Sequence, residues 1–278
     1  MAADFLSMEL TRPQFEKISG WVYSSTGIKL GEGKEGLVKS RLLKRLRLLN
    51  LEDFNCYVEF VENDSTGREI TAMIDVLTTN KTSFFRESQH FEFLRDCILQ
   101  DLLASHRRIR IWSAGCSSGE EPYSIAILLR EAVPEIDRRD IRILATDINT
   151  SILARAREGV YEQDAVHDIP SLLLQKYFTL TSCKPTRLYS INNCVRDLVR
   201  LAQLNLMDEW PMRGPFEVIF CRNVMIYFDK PTQRCLVQRF WKILELGGHL
   251  FVGHSESLTG SCSGFRYVKP ATYVKESN

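Results

Sequence analysis

From Thr11 to about Leu103 apolar residues recur with the spacing of helices. Thr11 and Pro13 mark a helix start, and Phe15, Ile18, Trp21 and Val22 follow on one face. After glycines at 27, 31, 33 and 36, a second helix is expected over about 34–49 with Leu42, Leu46 and Leu49 aligned. Phe54, Tyr57, Val58 and Val61 predict a third, and Ile70, Met73, Ile74 and Leu77 a fourth. Thr78–Glu87 breaks the period with polar residues around two phenylalanines, and Phe91–Leu103 is helical again. Such a polar loop is a place for function or an ordinary linker.

From Ile109 the period changes to alternation. Ile109, Ile111 and Ser113 predict a strand, Gly115–Gly119 a tight turn, and Tyr123, Ile125, Ala126, Leu128 and Leu129 a helix with Pro122 in its first turn. Strand, glycine turn and helix in this order open a nucleotide-binding α/β sheet. Ile141–Thr146 is a second strand ending at Asp147, where an acid holds ribose hydroxyls in such sheets. A helix follows over Asn149–Arg157. Over 178–201 the segments Phe178–Ser182, Arg187–Asn192 and Val195–Val199 predict a small antiparallel insert. The main sheet is expected to resume at Leu201–Asn205. Phe216–Cys221 (F-E-V-I-F-C) is an apolar run broken only by Glu217, as in a strand buried on both faces, and ends in Arg222-Asn223. A helix over Pro231–Leu246 should stop at Gly247-Gly248, with a strand at His249–Gly253 and a closing hairpin around Lys269-Pro270.

The turn narrows the ligand. Ser117 stands where a dinucleotide fingerprint has its central glycine, and Glu120 and Glu121 at the helix start would repel a pyrophosphate. They either cap the helix or line an acidic crevice. An acidic crevice suits hydroxyls and cationic groups, and S-adenosylmethionine carries a ribose diol, an ammonium and a sulfonium. Lys39, Arg41, Lys44, Arg45 and Arg47 form a basic run without acids, which reads as a solvated helix face or as a docking surface for an acidic macromolecule. A net charge of +1 names no partner, and no apolar run approaches the ~18 residues of a membrane span. The N-terminus offers no signal peptide. The 8 cysteines lack a C-x-x-C pair, which argues against zinc and disulfides and fits a reducing cytoplasm. No metal is expected.

T-N-K-T-S-F-F-R-E (79–87), S-S-G-E-E-P-Y-S (117–124), A-T-D-I-N (145–149), F-C-R-N-V-M-I-Y-F-D (220–229) and G-H-S-E-S (253–257) resemble, in order, the signature segments of the CheR family of chemotaxis methyltransferases. The resemblance implies a helical N-terminal domain for receptor recognition, 1–85. It also implies a Rossmann-like, S-adenosylmethionine-dependent methyltransferase domain, 86–278, with the β-subdomain at about 178–201. The implied activity is esterification of glutamates on bacterial chemoreceptors by a cytoplasmic monomer, with S-adenosylhomocysteine as product. Carried over by position, Asn80, Thr82, Arg86, Glu120, Asp147, Asn205, Leu206, Arg222, Asn223 and Tyr227 would hold the cofactor, and Arg86 and Tyr227 would act in catalysis. Thr82 could instead be a cap, and Asn205 a strand-end turn residue. The basic run resembles the element that meets the receptor's methylation region. Family members that dock on a receptor's C-terminal pentapeptide often use a Gly-rich loop in the β-subdomain. Here that loop is Ser182-Cys183-Lys184-Pro185-Thr186, without glycine, which argues against tethering.

Two rival functions are a methyltransferase acting on nucleic acid and a receptor-bound scaffold that binds cofactor without turnover. The basic run lacks interleaved aromatics, and the chain has no N/D-P-P-Y/F segment of the kind used in amino methylation. A scaffold would not be expected to keep Arg86, Glu120, Asp147 and Tyr227. A hydrolase reading of G-H-S-E-S fails, because a nucleophile elbow needs G-x-S-x-G.

Overall fold

The computed structural model describes residues 8–105, 108–258 and 264–276; the stretch 1–7 and Cys262, both read above, lie outside them. Contacts divide the chain into a helical unit, running through Thr79 and including Tyr227–Thr232, and an α/β unit, Asn80–Ile226 with Gln233 onward. The division falls ahead of the expected 85/86 junction because the polar loop packs on the α/β side. Phe84 is buried in that core, and Phe85 N donates to Ser124 Oγ at 2.9 Å.

The helical unit contains α1 (Arg12–Thr26), α2 (Glu35–Leu49), α3 (Phe54–Asn63) and α4 (Arg68–Leu77). Local chemistry sets the ends. Thr11 N donates to Gln14 Oε1 at 2.8 Å, Gly27 closes α1 at φ 72°, and Asp53 caps α3 by accepting from Cys56 N at 2.8 Å. Ile18, Leu42, Leu46, Tyr57 and Met73 are fully buried in one core, the apolar faces read from the sequence turned inward. The segment 227–232 joins this unit: Lys29 N donates to Tyr227 O at 2.9 Å, and Tyr23 OH to Asp229 Oδ2 at 2.8 Å.

The α/β unit begins with α5 (Gln89–Phe93), a π turn (Leu94–Ile98) and α6 (Leu99–Ser105). It continues through β1 (Arg108–Ala114), α7 (Glu120–Ala132), β2 (Asp140–Asp147) and α8 (Thr150–Glu158). Next come β3 (Val160–Glu162), α9 (Gln163–Val166), α10 (Ser171–Tyr177), β4 (Phe178–Ser182), β5 (Leu188–Ile191) and α11 (Asn193–Arg196). The chain then forms β6 (Val199–Gln203), β7 (Phe216–Cys221), α12 (Lys230–Ile243), β8 (Leu244–Val252), β9 (Phe265–Lys269) and β10 (Thr272–Lys275). The main sheet has the order β6-β2-β1-β7-β8-β10-β9, parallel from β6 to β8, with β10 antiparallel to both its neighbours. Ile109, Ile111, Ile141, Ile143 and Val199 pack on one face with Ile125 and Leu129 of α7 and Leu153 of α8. On the other face Trp112 meets Trp210, Phe216 and Phe240. No helix joins β6 to β7; residues 204–215 make that connection as a loop.

Three expectations are corrected. The small sheet is antiparallel, β3-β5-β4, but its third strand is Val160–Glu162 rather than Val195–Val199. Three residues carry too little alternation to be seen in advance. Asn193–Arg196 is instead a short helix, and β6 starts at Val199, pairing with Ile143. The helix expected over Pro231–Leu246 ends at Ile243, and both glycines lie inside β8. The register with β7 shifts there: Gly247 takes φ 77°, and a Cβ on Gly248 would lie 3.0 Å from Glu217 O. Among the described residues, no helix is long and apolar enough to cross a membrane, and seven cysteines are free.

Candidate functional site

The turn after β1 is fastened to the end of β2. Gly115 N and Cys116 N both donate to Thr146 O, at 2.8 and 2.9 Å. Asp147 accepts from Ser117 N at 2.8 Å through one oxygen and from Asn149 N at 3.0 Å through the other. Gly115 and Gly119 have φ of 86° and 98°. A Cβ would lie 2.4 Å from Val224 Cγ2 at the first and 2.9 Å from the Tyr123 ring at the second, so the chain's own packing demands glycine. Ser117 holds φ 50° without being glycine, its hydroxyl donating to Asn80 O at 3.0 Å. Backbone in that region is strained and collects at functional sites.

Glu120 and Glu121 take separate environments. Glu120 is buried, and its carboxylate accepts the Ser118 hydroxyl at 2.6 and 2.9 Å. Burial raises its pKa, with Ser118 only partly offsetting, and no basic side chain among the described residues forms an ion pair with it. Glu121 accepts from Ser113 Oγ at 2.7 Å and pairs with Arg222 at 3.1 Å. Burial raises its pKa too, against the pull of Arg222.

Arg222 sits between two carboxylates. Its guanidinium pairs with Glu87 at 3.0 Å as well as with Glu121, and also donates to Arg86 O. Burial works against ionisation of Glu87, yet Arg222 prevails and holds the carboxyl below its ordinary value. Glu87 further accepts from Asn223 Nδ2 at 3.5 Å and His254 N at 3.4 Å. Close to it His90 is fully buried, its Nδ1 3.5 Å from Glu87 Oε2; neither ring nitrogen has a hydrogen-bond partner among the described residues, and burial with the nearby Arg222 lowers its pKa to about 4. Glu87, His90 and His254 each offer a metal-ligating atom within 4.8 Å of one another, but Arg222 already neutralises Glu87 and repels a cation. Glu256 organises the following loop, accepting from Gly253 N at 2.6 Å and from Asn223 N and Ile226 N at 3.0 Å each.

The structure thus brings Asn80, Ser117 and Asp147 into one chain of bonds, and Arg86, Arg222 and Asn223 into another around Glu87. Thr82 is half-buried in the same polar loop, where Arg86 folds back onto Lys81 O at 2.9 Å. Asn205 forms a turn beyond β6, accepting from Met207 N at 3.1 Å and donating to Asp208 at 3.0 Å. The Leu206 side chain is buried, and its carbonyl accepts from Arg239 at 2.5 Å. Tyr227 belongs to the helical unit. Glu87, His90 and Glu256 were not singled out from the sequence. Their nearest signal was membership of the quoted segments or adjacency to them.

In the basic run, Arg45 pairs with Glu69 at 2.5 Å, where Tyr57 OH also donates at 2.9 Å. Arg41 donates to Leu77 O, Thr78 O and Thr79 Oγ1 at 2.6–3.1 Å, tying down the end of α4. Lys39 reaches Glu9 at 3.2 Å, and Lys44 and Arg47 are exposed.

A family model described as the CheR methyltransferase SAM binding domain matches residues 80–274, and one described as the CheR methyltransferase all-alpha domain matches 13–78. The chain belongs to the CheR methyltransferase family. It is 45% identical to a probable chemotaxis protein methyltransferase of Rhizobium etli, covering 86% of this chain and 90% of that one. The chemotaxis protein methyltransferase of Borreliella burgdorferi is 40% identical, with 97% and 96% covered, and that of Escherichia coli 39% identical, with 91% and 87% covered. Fold and family agree: a helical unit, and a sheet in which β2 ends at Asp147 and the turn after β1 leads to Glu120. The residues present fit S-adenosylmethionine. Glu120, buried and in no ion pair among the described residues, with the Ser118 hydroxyl on its carboxylate, offers a carboxylate suited to hydroxyl or cationic groups. As a CheR methyltransferase the chain is an S-adenosylmethionine-dependent enzyme.

Proposed function

We propose that this enzyme methylates glutamate side chains on the cytoplasmic signalling region of chemoreceptors, forming methyl esters. Relatives matched over nearly their whole length carry the name chemotaxis protein methyltransferase, and that correspondence carries the reading. Bound S-adenosylmethionine supplies an electrophilic methyl group on a sulfonium. A glutamate, with a reference pKa of about 4.3, meets it already ionised, so no general base is required. The chain's task is to align and desolvate. Asp147 and Glu120 hold the ribose and amino-acid ends, and Asn80, Thr82, Asn205, Leu206 and Asn223 complete the enclosure. Arg222, fixed by Glu87 and Glu121, props the loop at Arg86. Arg86 and Tyr227 orient the reacting carboxylate and the cofactor without transferring protons.

For docking, Lys44 and Arg47 carry the outward charge of α2, with Lys39 beside them, while Arg41 and Arg45 hold the helix in place. The decisive experiment incubates the protein with methyl-labelled cofactor and receptor-bearing membranes. Label should enter the receptor and leave as methanol under mild base. Base-stable label, or none with folded protein, would overturn the assignment. Arg86→Ala should lower turnover strongly while preserving the fold; a near-wild-type rate removes Arg86 from the mechanism.

A further inference from the structure

The loop between β6 and β7 helps line a cleft at the end of the strands away from Glu120 and Asp147. Side chains alternate along strands, and register therefore decides which share a face. Arg108 and Arg110 of β1 lie on the face that carries Trp112, and Arg110 is in register with Arg142 of β2. Leu144, two residues along β2, is in register with Arg200 of β6. Arg213 of the loop joins them around a cleft of about 260 Å³, whose walls include Leu144, Met212, Pro215 and Phe216.

Neighbouring strands lie about 4.8 Å apart, so like charges in register repel. Their partners among the described residues do not cancel the charge. Arg110 pairs with Asp140 at 2.7 Å, and Glu217 accepts from Arg110 N at 2.5 Å. Arg142 donates only to Ile141 O, and Arg200 only to the carbonyls of Asp197 and Val199. Among the described residues, the side chains of Arg108 and Arg213 make no hydrogen bond or ion pair. Five guanidiniums against two carboxylates leave three positive charges on a concave surface with an apolar wall.

We propose that this cleft binds a nucleoside polyphosphate, separately from the methyl-donor site. Guanidinium groups take phosphate oxygens two at a time and stack on planar rings, while the cleft's small volume and apolar wall suit a base rather than a macromolecule. Binding would place an anionic ligand at the opposite end of the strands from Glu120 and Asp147, where the methyl donor carries positive charge.

The test is calorimetry of the full chain with ATP and with GTP at low salt, S-adenosylhomocysteine being present at saturation to fill the crevice. At least one nucleotide should bind under these conditions and weaken as salt rises. Arg142→Ala combined with Arg200→Ala should lower that affinity at least tenfold and leave S-adenosylhomocysteine affinity unchanged. Failure of both nucleotides to bind overturns the proposal, as does competition with S-adenosylhomocysteine or indifference to the double substitution. Retention of an oligonucleotide but of neither ATP nor GTP would assign the face to nucleic acid and overturn it equally.

Discussion

Helix α2 and the cleft beside β6, β2 and β1 are both rich in arginine, and they use it in opposite ways. On α2, Arg45 is drawn inward onto Glu69, and Arg41 onto the last carbonyls of α4. On the sheet, Arg142, Arg200 and Arg213 stay exposed. The difference lies in what faces each group. A buried carboxylate must have a cation, whereas a surface guanidinium is content in water. A run of basic residues therefore states how much charge is present, not which of it is available to a partner.

Arg222 behaves like Arg45 in a harsher setting, and removing it should have the largest effect. Arg222→Met leaves the largely enclosed Glu87 and Glu121 without their cation, and urea unfolding at pH 7 should show a loss of about 3–5 kcal/mol. A loss below about 1 kcal/mol would mean that water, not Arg222, solvates the pair. Arg45→Met should cost about 2–3 kcal/mol by the same measurement, since Tyr57 still reaches Glu69. Arg41→Met, which removes bonds to neutral carbonyl and hydroxyl groups, should cost about 1 kcal/mol.

Acid titration sharpens the inward side of the contrast. Glu87 is held below its ordinary value, so its contribution is complete at neutral pH and lost as the pH falls through the folded-state pKa. His90 is held down to about 4 by burial and Arg222. As the pH falls from about 6.5 towards 4 the unfolded chain takes the proton first, and stability drops by up to about 1.4 kcal/mol per pH unit. Glu120, Glu121 and Glu256 have values raised by desolvation and act in the opposite sense, so the readout is the difference between wild type and His90→Gln. That variant should show a shallower slope over this range; parallel curves would show that His90 is not kept neutral.

The smallest stability effects belong to the outward charges. Arg142→Ala and Arg200→Ala, and Lys44→Glu with Arg47→Glu, should each stay within about 0.5 kcal/mol. The α2 pair should nevertheless lower receptor methylation several-fold with cofactor affinity unchanged. Unaltered methylation would leave α2 with a structural role only.

Sequence alone determined the four apolar helix faces, the strand–glycine turn–helix of β1 and α7, the acid closing β2 and the largely apolar β7. Each of these is a local requirement, written in a period of 3.6 or 2 or in a turn that admits only certain residues. It also carried the quoted segments and, through them, the family. Tertiary structure alone decided where charges go. Arg222 meets Glu87 and Glu121 across more than half the α/β unit, Arg45 meets Glu69 from another helix, and Val160–Glu162 becomes a strand only because β5 lies beside it. Such pairings depend on which distant segments the fold makes neighbours, and hydrophobic period, being blind to partner identity, contains no record of them.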